Sequence, residues 1–274
     1  MKKLLKILGL LVLTAVVLGG AVFLLAWKSP KYYIAKSSTN AQYLLFKSYK
    51  ADHAKPYIIE TANVVIFGAE HTRDAKDPQL KLIKDKWERL QPTVALVEGR
   101  LGFLLPMFMD PVEKLGEGGK VKELANRDDI PLYNWDLSKE ELAKKMQSKF
   151  SKEQIAVAQI LNPYFANLRF GKPSDPDAFV SPYLKRAANV GLQNEIKTVA
   201  DVDRIWKKYF PTTDWRGISD EYGLPGYLGD MMAVGNDFRN QQLIDAVKEL
   251  TAKGERVFVI CGSSHAFCVA PAFK

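Results

Sequence analysis

The apolar positions of this chain fall into three patterns. Short unbroken runs, NVVIFG from Asn63, TVALVEG from Thr93 and ERVFVI from Glu255, suit strands covered on both faces. A helical spacing joins Leu80, Ile83, Trp87 and Leu90 within DPQLKLIKDKWERL, with Asp77 placed to cap the helix and Pro78 in its first position. Strand, helix and strand together make a βαβ unit. Later, DFRNQQLIDAVKELTAKG predicts a helix with Leu243, Val247 and Leu250 as its buried stripe and Gly254 as its C-cap before the last strand. This order predicts an α/β fold with a mainly parallel central sheet flanked by helices. Residues from about 101 to 235 hold helical stretches such as SKEELAKKMQSKF and VADVDRIWKKYF, interrupted by Pro163, Pro173, Pro176, Pro182, Pro211 and Pro225. They read as a helical insertion roofing one end of the sheet.

The third pattern is a run without periodicity. No charge occurs from Leu8 to Trp27, and Lys2, Lys3 and Lys6 precede it, which matches the ~20 apolar residues of a membrane-spanning helix. A cleaved signal peptide has a similar start but an apolar centre of only ~7 to 15 residues. The expectation is an uncleaved anchor over 1–27, a juxtamembrane connector over 28–60 and an α/β domain over 61–274. Lys28, Lys31 and Lys36 on the far side weaken the charge rule for orientation. A first hydrophobic segment this close to the N-terminus usually exports the rest of its chain, so a single-pass membrane protein with an extracytoplasmic catalytic domain is expected.

The formal charge of +8 changes little, because residues 1–36 hold six lysines and no acid, leaving 33 basic against 31 acidic residues. A nucleic-acid partner is not called for. Cys261 and Cys268 bracket a histidine in CGSSHAFC and are either a small disulfide loop of an oxidising compartment or two buried thiols. They are too few for a structural zinc site.

Two of the three histidines share one setting. GAEH, from Gly68 to His71, and GSSH, from Gly262 to His265, each follow a buried strand, whereas His53 lies in a polar stretch and reads as a surface residue. In open α/β sheets ligands bind beyond the carboxyl ends of parallel strands. Glu98 ends TVALVEGR there, and Asp136 ends the short run IPLYNWD. Two imidazoles and two carboxylates from four strand ends can hold a divalent metal or activate water. Taken singly each has a plainer reading: Glu70 and Glu98 as solvated loop carboxylates, Asp136 as the N-cap of LSKEEL. Arg239 is placed toward the apolar stripe in the first turn of the last long helix, where a cation wants a carboxylate or an anionic intermediate. A serine nucleophile at Ser263 or Ser264 is disfavoured, since GSSH lacks the G-x-S-x-G pattern.

With its two GxxH motifs, the glutamate of VALVEGR and the arginine of FRNQQLIDAV, the chain resembles the superfamily that groups TraB pheromone-shutdown proteins, GumN-like proteins, Tiki proteases and erythromycin esterases. The landmarks run from Asn63 to His265. The resemblance implies an α/β fold and hydrolysis, with metal-dependent peptide cleavage in the Tiki branch and ester cleavage in the esterase branch. It carries over to His71, Glu98, Arg239 and His265, with Asp136 a further addition.

The reading that combines these points is a hydrolase of a peptide or small ester. His71, His265 and one or both of Glu98 and Asp136 hold a divalent ion (Mn, Co, Zn or Fe), Glu70 is the reserve base, and Arg239 stabilises the oxyanion or orients Glu98. In the metal-free alternative His71 is the base and Glu98 fixes its tautomer. A third alternative is a membrane-anchored binding module that sequesters a peptide or metal without turnover.

Overall fold

A computed structural model of the chain describes residues 2–105, 108–220 and 223–273. The chain is an α/β protein built on six strands: β1 Lys31–Tyr32, β2 Tyr57–Glu60, β3 Val64–Ala69, β4 Val94–Val97, β5 Leu132–Asn134 and β6 Val257–Gly262. Their order in the sheet is β1-β5-β4-β6-β3-β2, and every pairing is parallel except that of β2 with β3. The three predicted strands are the three at the centre, and every residue of β3, β4 and β6 is buried. Residues 28–60 contribute β1 and β2 at the two edges.

The chain divides into two compact units, one of residues 1–40, 51–136 and 243–274, the other of residues 41–50 and 137–242. In the first, helix α1 spans Lys2–Leu25. The side chains of Leu8, Leu10, Leu11, Ala15, Leu18, Ala21, Leu24 and Leu25 lie outside the described residues. Among the described residues no helix is long and apolar enough to cross a membrane. The predicted helix is α2, Pro78–Leu90; Asp77 Oδ1 accepts the Gln79 N–H at 2.9 Å, and Leu80, Ile83, Trp87 and Leu90 form its buried stripe. They pack with Val65, Phe67, Ala95, Val97 and Phe258 of the sheet. Trp87 and Phe258 hold their ring centroids 5.2 Å apart. Two further helices, α3 Pro111–Leu115 and α4 Glu117–Arg127, add Val112, Val121 and Leu124 to the same core.

The second unit is helical: α5 Lys139–Met146, α6 Lys152–Asn167, α7 Pro176–Val180, α8 Val199–Tyr209 and the first part of α9 Tyr227–Ala252. Reciprocal caps start three of them, Ser138 with Glu141, Ser151 with Gln154 and Thr198 with Asp201. Ser138, not Asp136, caps α5. Pro163, a position that predicts an interruption, lies inside α6, which runs through it. A proline frees the carbonyl four residues back. That carbonyl, on Gln159, accepts Arg186 Nη1 at 2.7 Å.

Helix α9 begins at Tyr227, so Arg239 stands well inside it and not in its first turn. Gly229, Gly235 and Asn236 dilute the helical pattern there. Gly254 does terminate the region as predicted, at φ +85°, and the Glu255 N–H donates to the Leu250 carbonyl. Helix α10, Ser263–Val269, follows β6 directly. Cys261 and Cys268 are both buried and stand as thiols. The stretch read as a connector is strapped to α9: Glu249 accepts from Tyr33 Oη at 2.8 Å and Lys36 N–H at 2.7 Å, and Asp245 from Thr39 N–H at 2.7 Å.

The buried Trp87 donates Nε1–H to Asp128 Oδ2 at 2.7 Å. The Arg127 guanidinium, and then this indole, pull the Asp128 carboxyl down to about 2. A depressed carboxyl stabilises the fold above its unfolded value, and that contribution fades as pH falls through the folded value. Asp128→Ala is expected to cost about 1–3 kcal/mol by stranding a buried donor. In urea titrations the gap to the parent should be constant above about pH 5 and should close as pH falls from about 4 toward 2.

Candidate functional site

The site is created by strand order. β6 pairs with β3 on one side and β4 on the other, with Ala69 opposite Gly262 and Val97 opposite Ile260. All three run in the same direction, so their carboxyl ends open onto the same edge of the sheet. His71 follows β3, Glu98 follows β4 and His265 lies in the first turn of α10 after β6.

The two motif glycines serve different ends. A Cβ on Gly68 would lie 2.5 Å from Ala266 Cβ, 2.8 Å from the Tyr57 carbonyl oxygen and 2.9 Å from Ser263 Cα, so this glycine lets α10 and β2 close on β3. A Cβ on Gly262 would lie 3.2 Å from His71 Nε2 and 3.7 Å from Glu98 Oε2. The missing side chain at Gly262 is the space on which the histidine and the glutamate converge. The Gly262 N–H donates to Glu98 Oε2 at 2.7 Å, while Glu98 Oε1 stands 3.7 Å from His265 Nε2.

His71 is held by a residue that sequence reasoning missed. Its Nδ1 lies 2.6 Å from Glu117 Oε1, and the Thr72 N–H donates to Glu117 Oε2 at 3.3 Å. A carboxylate only accepts, so Nδ1 is the donor, and the lone pair of the neutral form of the ring lies at Nε2. Glu117 is buried in the first turn of α4, where the unpaired N–H groups of the helix favour an anion. The signal available was a carboxylate set among glycines, LGEGG. The two imidazoles differ in access: the His71 side chain is 41% exposed and that of His265 5%. Trp135 covers His265 edge-on at 5.4 Å and donates Nε1–H to the Ile260 carbonyl at 3.3 Å.

Asp136 is buried at the end of β5, its N–H bonded to Asn134 Oδ1 at 2.9 Å. Glu70 points to solvent, with Lys55 Nζ 3.8 Å away. Arg239 belongs to the helical unit, where Nη1 donates to Asn236 Oδ1 at 2.9 Å. Ser263 and Ser264 open α10. His53, expected on the surface, is half-buried; its ring stacks on Phe267 at 4.5 Å and meets Tyr57 edge-on at 5.4 Å.

Among the described residues no group of three or more His, Cys, Asp or Glu side chains could hold a metal ion. Glu117 engages one ring nitrogen of His71, and the Gly262 N–H engages Glu98.

The two glycines make separable predictions. Gly68→Ala forces backbone apart and is expected to cost about 1–3 kcal/mol in a denaturation curve. Gly262→Ala meets only side-chain ends, so it should leave the melting transition nearly in place while displacing His71; loss of stability equal to that of Gly68→Ala would contradict this division. No protein-family model, curated protein or solved structure matches the chain.

Proposed function

We propose that this chain is a membrane-anchored hydrolase of a peptide or ester bond, in which His71 is the general base and Glu117 its orienting partner. One observation carries the reading: an accessible imidazole, bonded through Nδ1 to a buried carboxylate at 2.6 Å, turns Nε2 toward the space over Gly262. Base and orienter within hydrogen-bond reach are the arrangement that water activation requires. His71 Nε2 takes a proton from water as the water oxygen attacks the substrate carbonyl carbon. Glu117 stabilises the imidazolium, and the same proton passes to the departing alkoxide or amine, giving an acid and an alcohol or amine. Glu98, with His265 behind it, forms the opposite wall of the reaction space. The anchor rests on the uncharged run from Leu8 to Trp27, and hydrolysis also on the resemblance to the TraB, Tiki and erythromycin esterase superfamily.

The test is turnover of ester and peptide libraries by the full chain in detergent. His71→Ala is expected to lower kcat by on the order of 10²- to 10⁴-fold. Glu117→Gln should lower it in the same direction with an unchanged circular dichroism spectrum. Activity should survive chelation. Chelator inactivation reversed by Mn, Co, Zn or Fe would replace this mechanism with a metal-dependent one, and saturable ligand binding without turnover would make the chain a binding module.

A further inference from the structure

The segment that joins the two site carboxylates carries an apolar surface of its own. Between Glu98 and Glu117, Leu101 and Leu104 are buried but Phe103, Phe108 and Met109 are 47%, 74% and 36% exposed. The N–H groups of Phe108 and Met109 both donate to the Leu105 carbonyl, at 3.0 and 2.9 Å. Exposed large apolar side chains that cluster mark a surface that something covers.

The nature of that cover is indicated by the neighbouring helix. The segment is fastened to the end of α1: the Trp27 N–H donates to the Leu104 carbonyl at 2.8 Å in an isolated antiparallel bridge, and Ser29 Oγ donates to the Leu101 carbonyl. The rings of Phe23 and Phe103 stack at 6.2 Å. Phe23 is itself 61% exposed, and Val12, Leu13, Val16 and Val17 further back along α1 are 57% to 66% exposed. Exposed apolar side chains of α1 thus meet those of this segment at the Phe23–Phe103 stack. Trp27, Lys28 and Lys31 come next, in the order of apolar run, aromatic and cation found where a helix leaves a bilayer.

We infer that Phe103, Phe108 and Met109 rest in the boundary layer of the bilayer that holds α1. This rests on the anchor reading above. The segment acts as a second, reversible contact, of the kind made by apolar side chains lying about 5–10 Å into the headgroup region. It ties the chain between Glu98 and Glu117 to the lipid surface. The substrate bond is then one presented at that surface.

The experiment places a nitroxide label at Phe108→Cys, Val16→Cys or Lys81→Cys in the full chain, reconstituted in vesicles of phosphatidylcholine with phosphatidylglycerol. Cys261 and Cys268 are buried, and the labelled parent gives the background. Collision with oxygen and with a water-soluble nickel complex reports depth. The label at Phe108 is expected to lose several-fold in nickel collision relative to that at Lys81, while the label at Val16 is shielded more strongly. If Val16 is lipid-buried and Phe108 is as water-exposed as Lys81, the inference falls and the anchor stands. Water exposure at both Val16 and Phe108 removes the anchor reading and the inference with it. Spin–spin broadening at Phe108 would overturn the inference in favour of contact with a second copy of the chain.

Discussion

Everything in the candidate site depends on the parallel pairing of β6 with both β3 and β4. Neighbouring strands lie about 4.8 Å apart, so threading β6 between the other two makes neighbours of the residues that leave their carboxyl ends. The hydrogen-bonded ladder does this before any side chain is chosen. The apolar character of β6 results from the same placement: with a strand on each side and layers on each face, no position along it can be polar. Phe258, against Trp87 of α2, is where that central strand is keyed to the helical layer.

Within this frame the two histidines are not equivalent, although their motifs look alike. His265 is enclosed by Trp135 and faces Glu98, whose other oxygen is held by a backbone N–H; its surroundings are fixed. His71 is open to solvent on one side and tied by Glu117 on the other. An enclosed imidazole–carboxylate pair thus stands beside an accessible, oriented imidazole, and Gly262 keeps the space between them clear.

Much of the frame was legible in the sequence because burial on both faces leaves an unbroken apolar run, and a half-buried helix leaves a stripe. β3, β4, β6 and α2 are legible in this way, as are the cap at Asp77 and the stop at Gly254. The threading of β6 is not, since strand order is a long-range choice that leaves no local pattern. Glu117 escapes for the same reason: its partner His71 is 46 residues away. Pro163 misleads because its compensation, Arg186 on the Gln159 carbonyl, comes from elsewhere in the fold. The edge strands β1 and β2 are short and mixed in character, so only pairing defines them. Arg239 reads as a first-turn residue because glycines hide the true start of α9.

The position of β6 in the sheet also dictates an order of events during synthesis. β3 and β4 are made early, yet neither has its shared neighbour until Val257–Gly262 has emerged, more than half the chain later. Pairings this distant in sequence are slow to form, because a long loop must close before they repay its entropy. The early strands must wait as unpaired edges, a state prone to association with other chains. Gly262 and His265 arrive with the strand that completes the sheet, so the candidate site is assembled only when the architecture around it is finished.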